Sequence, residues 1–445
     1  MNLVIINLAT RKPRAVTAIR EQDVSGFLWA NNERLLFFMD KDGSESFGIF
    51  AINSDATMLR TLVEPVEAQI KGGKSVIRLA EILDILEDEP EYVLVSSNER
   101  RAAHPDVYKM NIMNGRKTLV QRNPGNVTGW FTDWDGKVVG ASFQDGLDVG
   151  FMRLADPAED EWETVIRGRY DAPLFSPVAI TGDPDVGYVM SNLTPQGEAR
   201  DKAGLYKYNF KTRQFGELVY ETAEVDCCNV IQSRKKRDVI GVAYAVGIPE
   251  IMYTDERWKG IMASIDVSLP DTINTMTSID DEETIGVLVA SSSMQPPRYY
   301  LYNFSENTLE WLADSRPWID ATGMAEIKPV AFQSRDGMTL HGYLTIPHGS
   351  EGKNLPMILN PHGGPWARDG WGFNPEVQFL ANRGYAVLQV NFRGSTGFGM
   401  KHLEASKKQW GQAMQNDLAD SVKWAIEQGV ADPGRICIYG GSYGG

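Results

Sequence analysis

Short apolar stretches alternate with polar turns along most of this chain. One phrase recurs: a strand-length apolar run, a polar turn, then a second short run. It reads LVIINLATRKPRAVT at residues 3–17, FGIFAINSDATMLRTLV at 47–63, DVYKMNIMNGRKTLV at 106–120 and YYLYNFSENTLEWL at 299–312. Residues 24–63 show the fullest unit, with strands expected over 24–30, 34–39, 47–53 and 57–63. Their links are Asn31-Asn32-Glu33, Lys41-Asp42-Gly43 and Ser54-Asp55-Ala56, residue types that suit tight hairpins. Units recur at roughly 40–60 residues, the spacing of propeller repeats. Seven are read: a partial one at 1–17, then 24–63, 75–123, 126–168, 172–221, 226–270 and 280–315. The sixth contains a helical stretch, 256–269, closed by Pro270. The expectation for residues 1–320 is an all-β, seven-bladed propeller whose first blade is partial. A pair of β-sandwiches is the alternative.

Near residue 320 the periodicity changes. Strands are expected at 328–334 and 338–346, joined by the hairpin turn Arg335-Asp336-Gly337. A short buried strand follows at 355–360, then a helix at 376–382 ended by Gly384. The run YAVLQVN at 385–391 is apolar throughout, as in a strand of a parallel sheet. A helix over 410–428 carries Met414, Leu418, Val422 and Ile426 on one face and stops at Gly429. A last apolar run, 435–439, precedes the final glycines. Alternating strands and helices imply an α/β layer architecture for 321–445.

Composition narrows the partners. The net charge of −15 disfavours nucleic acid and anionic membranes, both of which attract basic surfaces. Three cysteines, two of them the adjacent Cys227 and Cys228, make no disulfide framework. Cys437 reads as a small core residue. No cluster has metal-ligand spacing, so no metal is expected. The first residues, MNLVIINLA, lack the basic start and cleavage site of a secretory leader, and no run approaches the ~18 apolar residues of a membrane span. The compartment stays open, leaning to the cytoplasm; the oligomeric state is not legible.

The chemistry concentrates in three motifs. Gly440-Gly441-Ser442-Tyr443-Gly444-Gly445 matches G-x-S-x-G after an apolar strand. Such a strand-to-helix turn, the nucleophile elbow of α/β-hydrolases, lifts a serine hydroxyl to the top of the sheet. The same pattern also occurs as an ordinary Gly-Ser turn; its place after a buried strand favours the elbow. Asn360-Pro361-His362-Gly363-Gly364-Pro365 follows an earlier strand, where an oxyanion loop belongs. The expected donors to a developing oxyanion are the backbone N–H groups of Gly364 and Tyr443. His362 is expected to shape that loop rather than act as a base. Asn391-Phe392-Arg393-Gly394-Ser395-Thr396-Gly397-Phe398-Gly399 leaves the next strand. It is read as lining the mouth of the site, with Arg393 tying the loop down. The other four histidines (His104, His341, His348, His402) read as surface or turn residues. Two stretches are set aside. Gly72-Gly73-Lys74-Ser75 resembles a phosphate-loop tail but has Ala68 in place of its first glycine, and Arg234-Lys235-Lys236-Arg237 is a solvated basic turn.

These motifs, with Arg335-Asp336-Gly337 and Trp410-Gly411, occur in an order and spacing that resemble the prolyl oligopeptidase family of serine peptidases, nearest its acylaminoacyl-peptidase and dipeptidyl-peptidase-like members. The resemblance implies an N-terminal propeller (1–320) and the first part of an α/β-hydrolase domain (321–445). It also implies hydrolysis of short peptides with Ser442 as nucleophile and Gly364 and Tyr443 as oxyanion donors. No organic cofactor is implied, because acyl transfer by a triad requires none. In that fold the triad Asp and His follow the serine. All five histidines here precede Ser442. The chain is therefore expected to be an incomplete peptidase, inactive alone, with the triad Asp and His absent. Two other readings stand beside it: a non-catalytic propeller that binds peptides or partners and keeps a hydrolase remnant, and an esterase of the same fold. Propeller carboxylates such as Glu99 or Asp145 are candidates to hold a substrate amine, though nothing in the sequence assigns them.

Overall fold

The computed structural model describes residues 2–40, 46–65, 80–227 and 229–445. The Lys41-Asp42-Gly43 link, the Gly72-to-Ser75 stretch with Ala68, and Cys228 lie outside them. Two compact units divide the chain: Met1–Gly187 with Asn209–Gln214, and Tyr188–Tyr208 with Phe215–Gly445.

Six consecutive antiparallel meanders are the blades of a β-propeller. The first is Gly26–Trp29, Arg34–Met39, Gly48–Asn53 and Arg60–Val63, each strand within a residue or three of its expected bounds. Four-stranded sheets follow from Ala80 to Gln121, Val127 to Arg169, Phe175 to Tyr220 and, last, Ile273 to Asp314. The fifth blade, Asn229 to Tyr253, has three strands. The seven-unit expectation is reproduced as six meanders plus a ribbon. Among the described residues Val4–Ile6 pairs only with Pro13–Ala15. Its Leu3 and Val16 pack with Leu35, Phe37 and Ile52 of the first blade, so the ribbon buries its apolar side on that blade's core.

In the fifth blade the outer strand is replaced by a helix. α1 (Glu256–Ser268) starts at Asp255, whose side chain accepts from the Trp258 N–H at 3.0 Å. Its buried face, Trp258, Met262 and Ile265, packs against Ile240, Leu288 and Tyr302 of the fifth and sixth blades. A Trp-Met-Ile stripe at helical spacing cannot serve as a strand, because a period of 2 would put Met262 and Ile265 on opposite faces.

Beyond the last blade lies one five-stranded sheet. Its spatial order is Ile327–Gln333, Thr339–Thr345, Ala386–Asn391, Leu355–Leu359, Ala431–Ile438. The first three are antiparallel neighbours; Leu355–Leu359 runs parallel to both of its partners. Sequential strands 355–359 and 386–391 are thus bridged by a helix, α2 (Pro375–Ala381), as parallel pairing requires. Asn374 caps α2 through the N–H groups of Glu376 and Val377, and Pro375 supplies a pre-set first turn. A short helix, α3 (Met400–Glu404), comes next, and α4 (Ala413–Glu427) covers the opposite face. Leu340, Leu344, Met357, Leu388, Val390, Met414 and Leu418 share one core there, while Tyr343, Val377 and Val387 form the smaller layer under α2. Each such buried aliphatic side chain stabilises by about 1.5–3 kcal/mol. Cys437 departs from its expected core place: it is exposed. Among the described residues no helix is long and apolar enough to cross a membrane.

Trp258 is 1 % exposed, yet its indole N–H has no hydrogen-bond partner. Trp258→Ala is therefore expected to destabilise the protein by about 3–5 kcal/mol in chemical denaturation. Trp258→Phe, which keeps a ring and removes an unpaired donor, should cost much less. Equal losses in the two variants would contradict this packing.

Candidate active site

Two strand ends bring the motifs together. The parallel strands Leu355–Leu359 and Ala431–Ile438 stop side by side, and Tyr439 N–H donates to the Leu359 carbonyl at 2.9 Å. Asn360 locks the junction: its side-chain amide donates to the Tyr439 carbonyl at 2.8 Å, and its N–H to the Leu388 carbonyl at 2.8 Å. Ligand sites in such sheets sit at the carboxyl ends of the strands, and this is such an end.

From there the chain turns sharply. Ser442 has φ of +54°, a left-handed conformation that is strained for a residue with a side chain. A single 3₁₀ turn, Ser442–Gly444, closes with Gly444 N–H on the Gly441 carbonyl at 2.9 Å and Gly445 N–H on the Ser442 carbonyl at 3.1 Å. The turn presses on the other loop. A Cβ at Gly440 would lie 2.6 Å from the Gly444 oxygen and 2.7 Å from the Pro361 oxygen, and one at Gly444 would overlap the Pro361 carbonyl. Only glycine fits at either place.

Gly363 faces the serine: a Cβ built on it would sit 3.4 Å from Ser442 Cβ and 3.9 Å from its Oγ. Ser442 is exposed, and its hydroxyl makes no hydrogen bond among the described residues. The N–H groups of Gly364 and Tyr443 likewise engage no acceptor there. Ser442, Tyr443 and the 360–365 loop are thus brought together. Tyr443 packs between Phe392 and Trp410, at ring distances of 5.9 and 5.4 Å, and Trp410 lies 6.2 Å from Trp366. Both indoles are more than half exposed.

His362 serves the loop. Its Nδ1 meets the Gly363 carbonyl at 2.6 Å and Nε2 meets Ser395 Oγ at 2.8 Å, while the ring stacks on Phe392 at 4.5 Å. A carbonyl can only accept, so Nδ1 carries the proton and Nε2 accepts from the serine. Burial holds this imidazole below its ordinary value, which suits the neutral form. Two other histidines are not the surface residues expected. His402 is 6 % exposed with neither ring nitrogen partnered, and burial pushes its pKa down to about 4. His341 stacks on Phe398 at 4.9 Å.

Arg393 ties its loop down, as expected, through partners the sequence did not reveal. Asp417, fully buried on α4, accepts from Arg393 Nε at 2.8 Å, Nη2 at 2.7 Å and the backbone N–H at 2.9 Å. Asp336, in the hairpin turn, takes the other edge at 2.9 Å. Beside it Arg335 holds Asp420 of α4 at 2.8 Å. In the sequence Asp417 and Asp420 looked like a helix's polar face. The 391–399 loop does not line the mouth: Phe392, Arg393, Ser395 and Phe398 are all buried. Glu99 is paired to Lys117 at 2.6 Å. Among the described residues no three His, Cys, Asp or Glu side chains are placed to hold a metal.

Asp369, a few residues past the Gly-Gly pair, also escaped sequence reading. Burial raises its pKa to about 6, against one hydrogen bond from Gln389 at 3.0 Å; its second oxygen is buried without a partner. A carboxyl with a raised folded pKa favours the fold fully below its unfolded value near 4, and that contribution is lost as pH rises through 6. The stability difference between Asp369→Asn and the parent should therefore move in the variant's favour by about 2–3 kcal/mol from pH 4 to pH 7.5. A pH-independent difference would show that the carboxyl ionises freely. Separately, Arg393→Met leaves Asp417 buried and unpaired, an expected loss of about 3–5 kcal/mol. A loss below about 1 kcal/mol in denaturant titration would mean the pair is incidental.

Residues 371–445 match the prolyl oligopeptidase family. The chain is 31% identical over 451 residues to dipeptidyl aminopeptidase BIII of Pseudoxanthomonas mexicana, covering 97% of this chain and 61% of that protein. It is 27% identical to dipeptidyl peptidase family member 6 of Caenorhabditis elegans, with the same 97% and 61% coverage. The chain thus spans about three-fifths of the length of these curated relatives. A prolyl endopeptidase structure superposes with a TM-score of 0.69 at 14% identity, over 98% of this chain and 64% of that one, which shows a shared fold. The chain is thus similar along 97% of its length to a dipeptidyl aminopeptidase, and its residues 371–445 match the prolyl oligopeptidase family.

Proposed function

We propose that this chain supplies the nucleophile and the oxyanion pocket of a serine peptidase acting on short peptides. Ser442 Oγ adds to the scissile carbonyl, its proton passing to a histidine base. The carbonyl oxygen gains the negative charge and takes hydrogen bonds from the Gly364 and Tyr443 N–H groups. The amine then leaves with the proton, and water releases the acyl group from Ser442. The observation that carries the reading is an exposed serine at φ +54° packed against a glycine loop, with two N–H groups left unengaged beside it. Among the described residues no histidine reaches Ser442. The base and its carboxylate are therefore read as lying outside these 445 residues, and the chain alone as inactive.

The relatives' names support release of dipeptides as the substrate class. The exposed Trp366 and Trp410, next to Tyr443, offer an apolar shelf for a substrate side chain. The domain boundary is read between Asp314, which ends the last blade, and Ile327, which opens the hydrolase sheet. The Val4–Ile6 and Pro13–Ala15 ribbon is read as part of a seventh blade.

Dipeptide arylamides test this. The 445-residue chain is expected to show no turnover above its Ser442→Ala variant. Protein isolated from its natural source is expected to cleave them, and Ser442→Ala in that protein to lower kcat by roughly 10⁴–10⁶. Natural protein that keeps its activity without the Ser442 hydroxyl would sink the reading. Natural protein with no turnover on any arylamide would favour a binding role.

A further inference from the structure

The 391–399 loop is gripped from two sides. On the hydrolase side Ser395, 1 % exposed, bonds His362, and Thr396 N–H donates to the Ala367 carbonyl at 2.9 Å. Both struts end in the segment that carries Gly363 and Gly364. On the propeller side the partners come from the fourth-blade strand Ala199–Asn209 and from the link into the fifth blade. Asp226, on that link, bridges the two. Its Oδ1 accepts from the Ala203 N–H at 2.7 Å and its Oδ2 from the Gly399 N–H at 3.0 Å, while its own N–H donates to the Gly397 carbonyl at 2.9 Å. Lys202 Nζ donates to the Phe398 carbonyl at 2.5 Å, and Lys401 N–H to Asp201 Oδ1 at 2.7 Å.

The grip needs the loop to come close. Gly397 and Gly399 have φ of +85° and +87°. A Cβ at Gly399 would lie 2.7 Å from Lys202 Nζ, and one at Gly397 the same distance from Arg368 Nη1. Nothing in the family's reaction requires a propeller carboxylate to touch this loop, and Asp226 is far from Ser442 in sequence. Yet a path joins them: hydrogen bonds from Asp226 to the 397–399 backbone, the short stretch of chain back to Ser395, hydrogen bonds from Ser395 to His362 and from His362 to the Gly363 carbonyl, and Gly363 lying against Ser442.

We propose that Asp226 is a positioning residue for the oxyanion loop. By fixing the 397–399 backbone to the blade it holds Ser395 in place. Ser395 in turn holds His362 in one tautomer, and His362, through the Gly363 carbonyl, sets the direction of the Gly364 N–H. A preorganised donor is worth most when it need not reorient as charge develops. On this view the fourth-blade strand and the link into the fifth blade orient the site's backbone. This inference rests on the reading of the 360–365 loop as the oxyanion pocket, but its test does not depend on turnover.

The test is NMR of this chain, comparing backbone order parameters and imidazole ¹⁵N shifts in the parent, Asp226→Ala, Asp226→Asn and Ser395→Ala. The parent should give rigid values near 0.85 at Gly363 and Gly364 and a single His362 tautomer protonated at Nδ1. Asp226→Ala should lower both 397–401 and 363–364 toward about 0.6 and give mixed tautomers, with α4 unchanged. Ser395→Ala should loosen 363–364 alone. Asp226→Asn keeps the shape and one acceptor, so it should fold if the alanine variant does not, with the same pattern at smaller amplitude. The proposal is overturned if the Asp226 variants loosen 397–401 while Gly363, Gly364 and the His362 tautomer stay as in the parent. Absence of Ser442-dependent turnover in protein from its natural source, with this NMR pattern seen in the chain, would instead count against the peptidase reading.

Discussion

The site depends on backbone meeting backbone without side chains between. Gly440 and Gly444 lie so close to the Pro361 carbonyl that no larger residue fits, and Gly363 lies against Ser442. This contact requires Ser442 to take a left-handed conformation, which costs on the order of 1–3 kcal/mol. The strand ends below it must be rigid enough to bear that cost. Asn360 supplies the rigidity by bonding to both neighbours of its own strand.

Charge does the remaining organising. Arg393 and Arg335 reach two carboxylates on α4, one of them fully buried, and Arg393 also holds the hairpin turn through Asp336. Charge-assisted, bidentate bonds of this kind are directional. They place α4, the hairpin and the 391–399 loop in one register around the core formed by Leu388, Val390 and Leu418. Packing sets how deeply these parts are buried, and the ion pairs set how they are turned. Asp369 shows the converse case, a carboxyl buried with too few partners, whose pKa rises as a result.

Much of this was legible in the residues. The strands of the first blade and of the five-stranded sheet fall within a few residues of the positions read from apolar periodicity, because each has a clear alternating or continuous apolar pattern. The elbow and the Gly-Gly loop were legible because their steric demands leave glycine no substitute. His362 could be placed from its position in the loop. What escaped was contact between distant segments. Asp417 and Asp420 looked like ordinary polar positions of a helix, and nothing local says that an arginine from the 393 loop or the hairpin will meet them. His402 and His341 were misjudged for the same reason: the first is buried and the second half-buried, each with its ring against Phe398 of the 391–399 loop. At the N-terminus the partial first unit read from the sequence is a two-stranded ribbon, which has the phrase of a blade without its inner strands.

Labelling with an aryl- or alkyl-fluorophosphonate, followed by peptide mapping of protein isolated from its natural source, tests the central claim most directly. Such reagents phosphonylate, with loss of fluoride, a serine whose hydroxyl is activated and whose oxyanion pocket is formed. The account predicts one modified residue, Ser442, with no label in the Ser442→Ala variant. Labelling at a different serine, or none in protein that hydrolyses peptides, would contradict it.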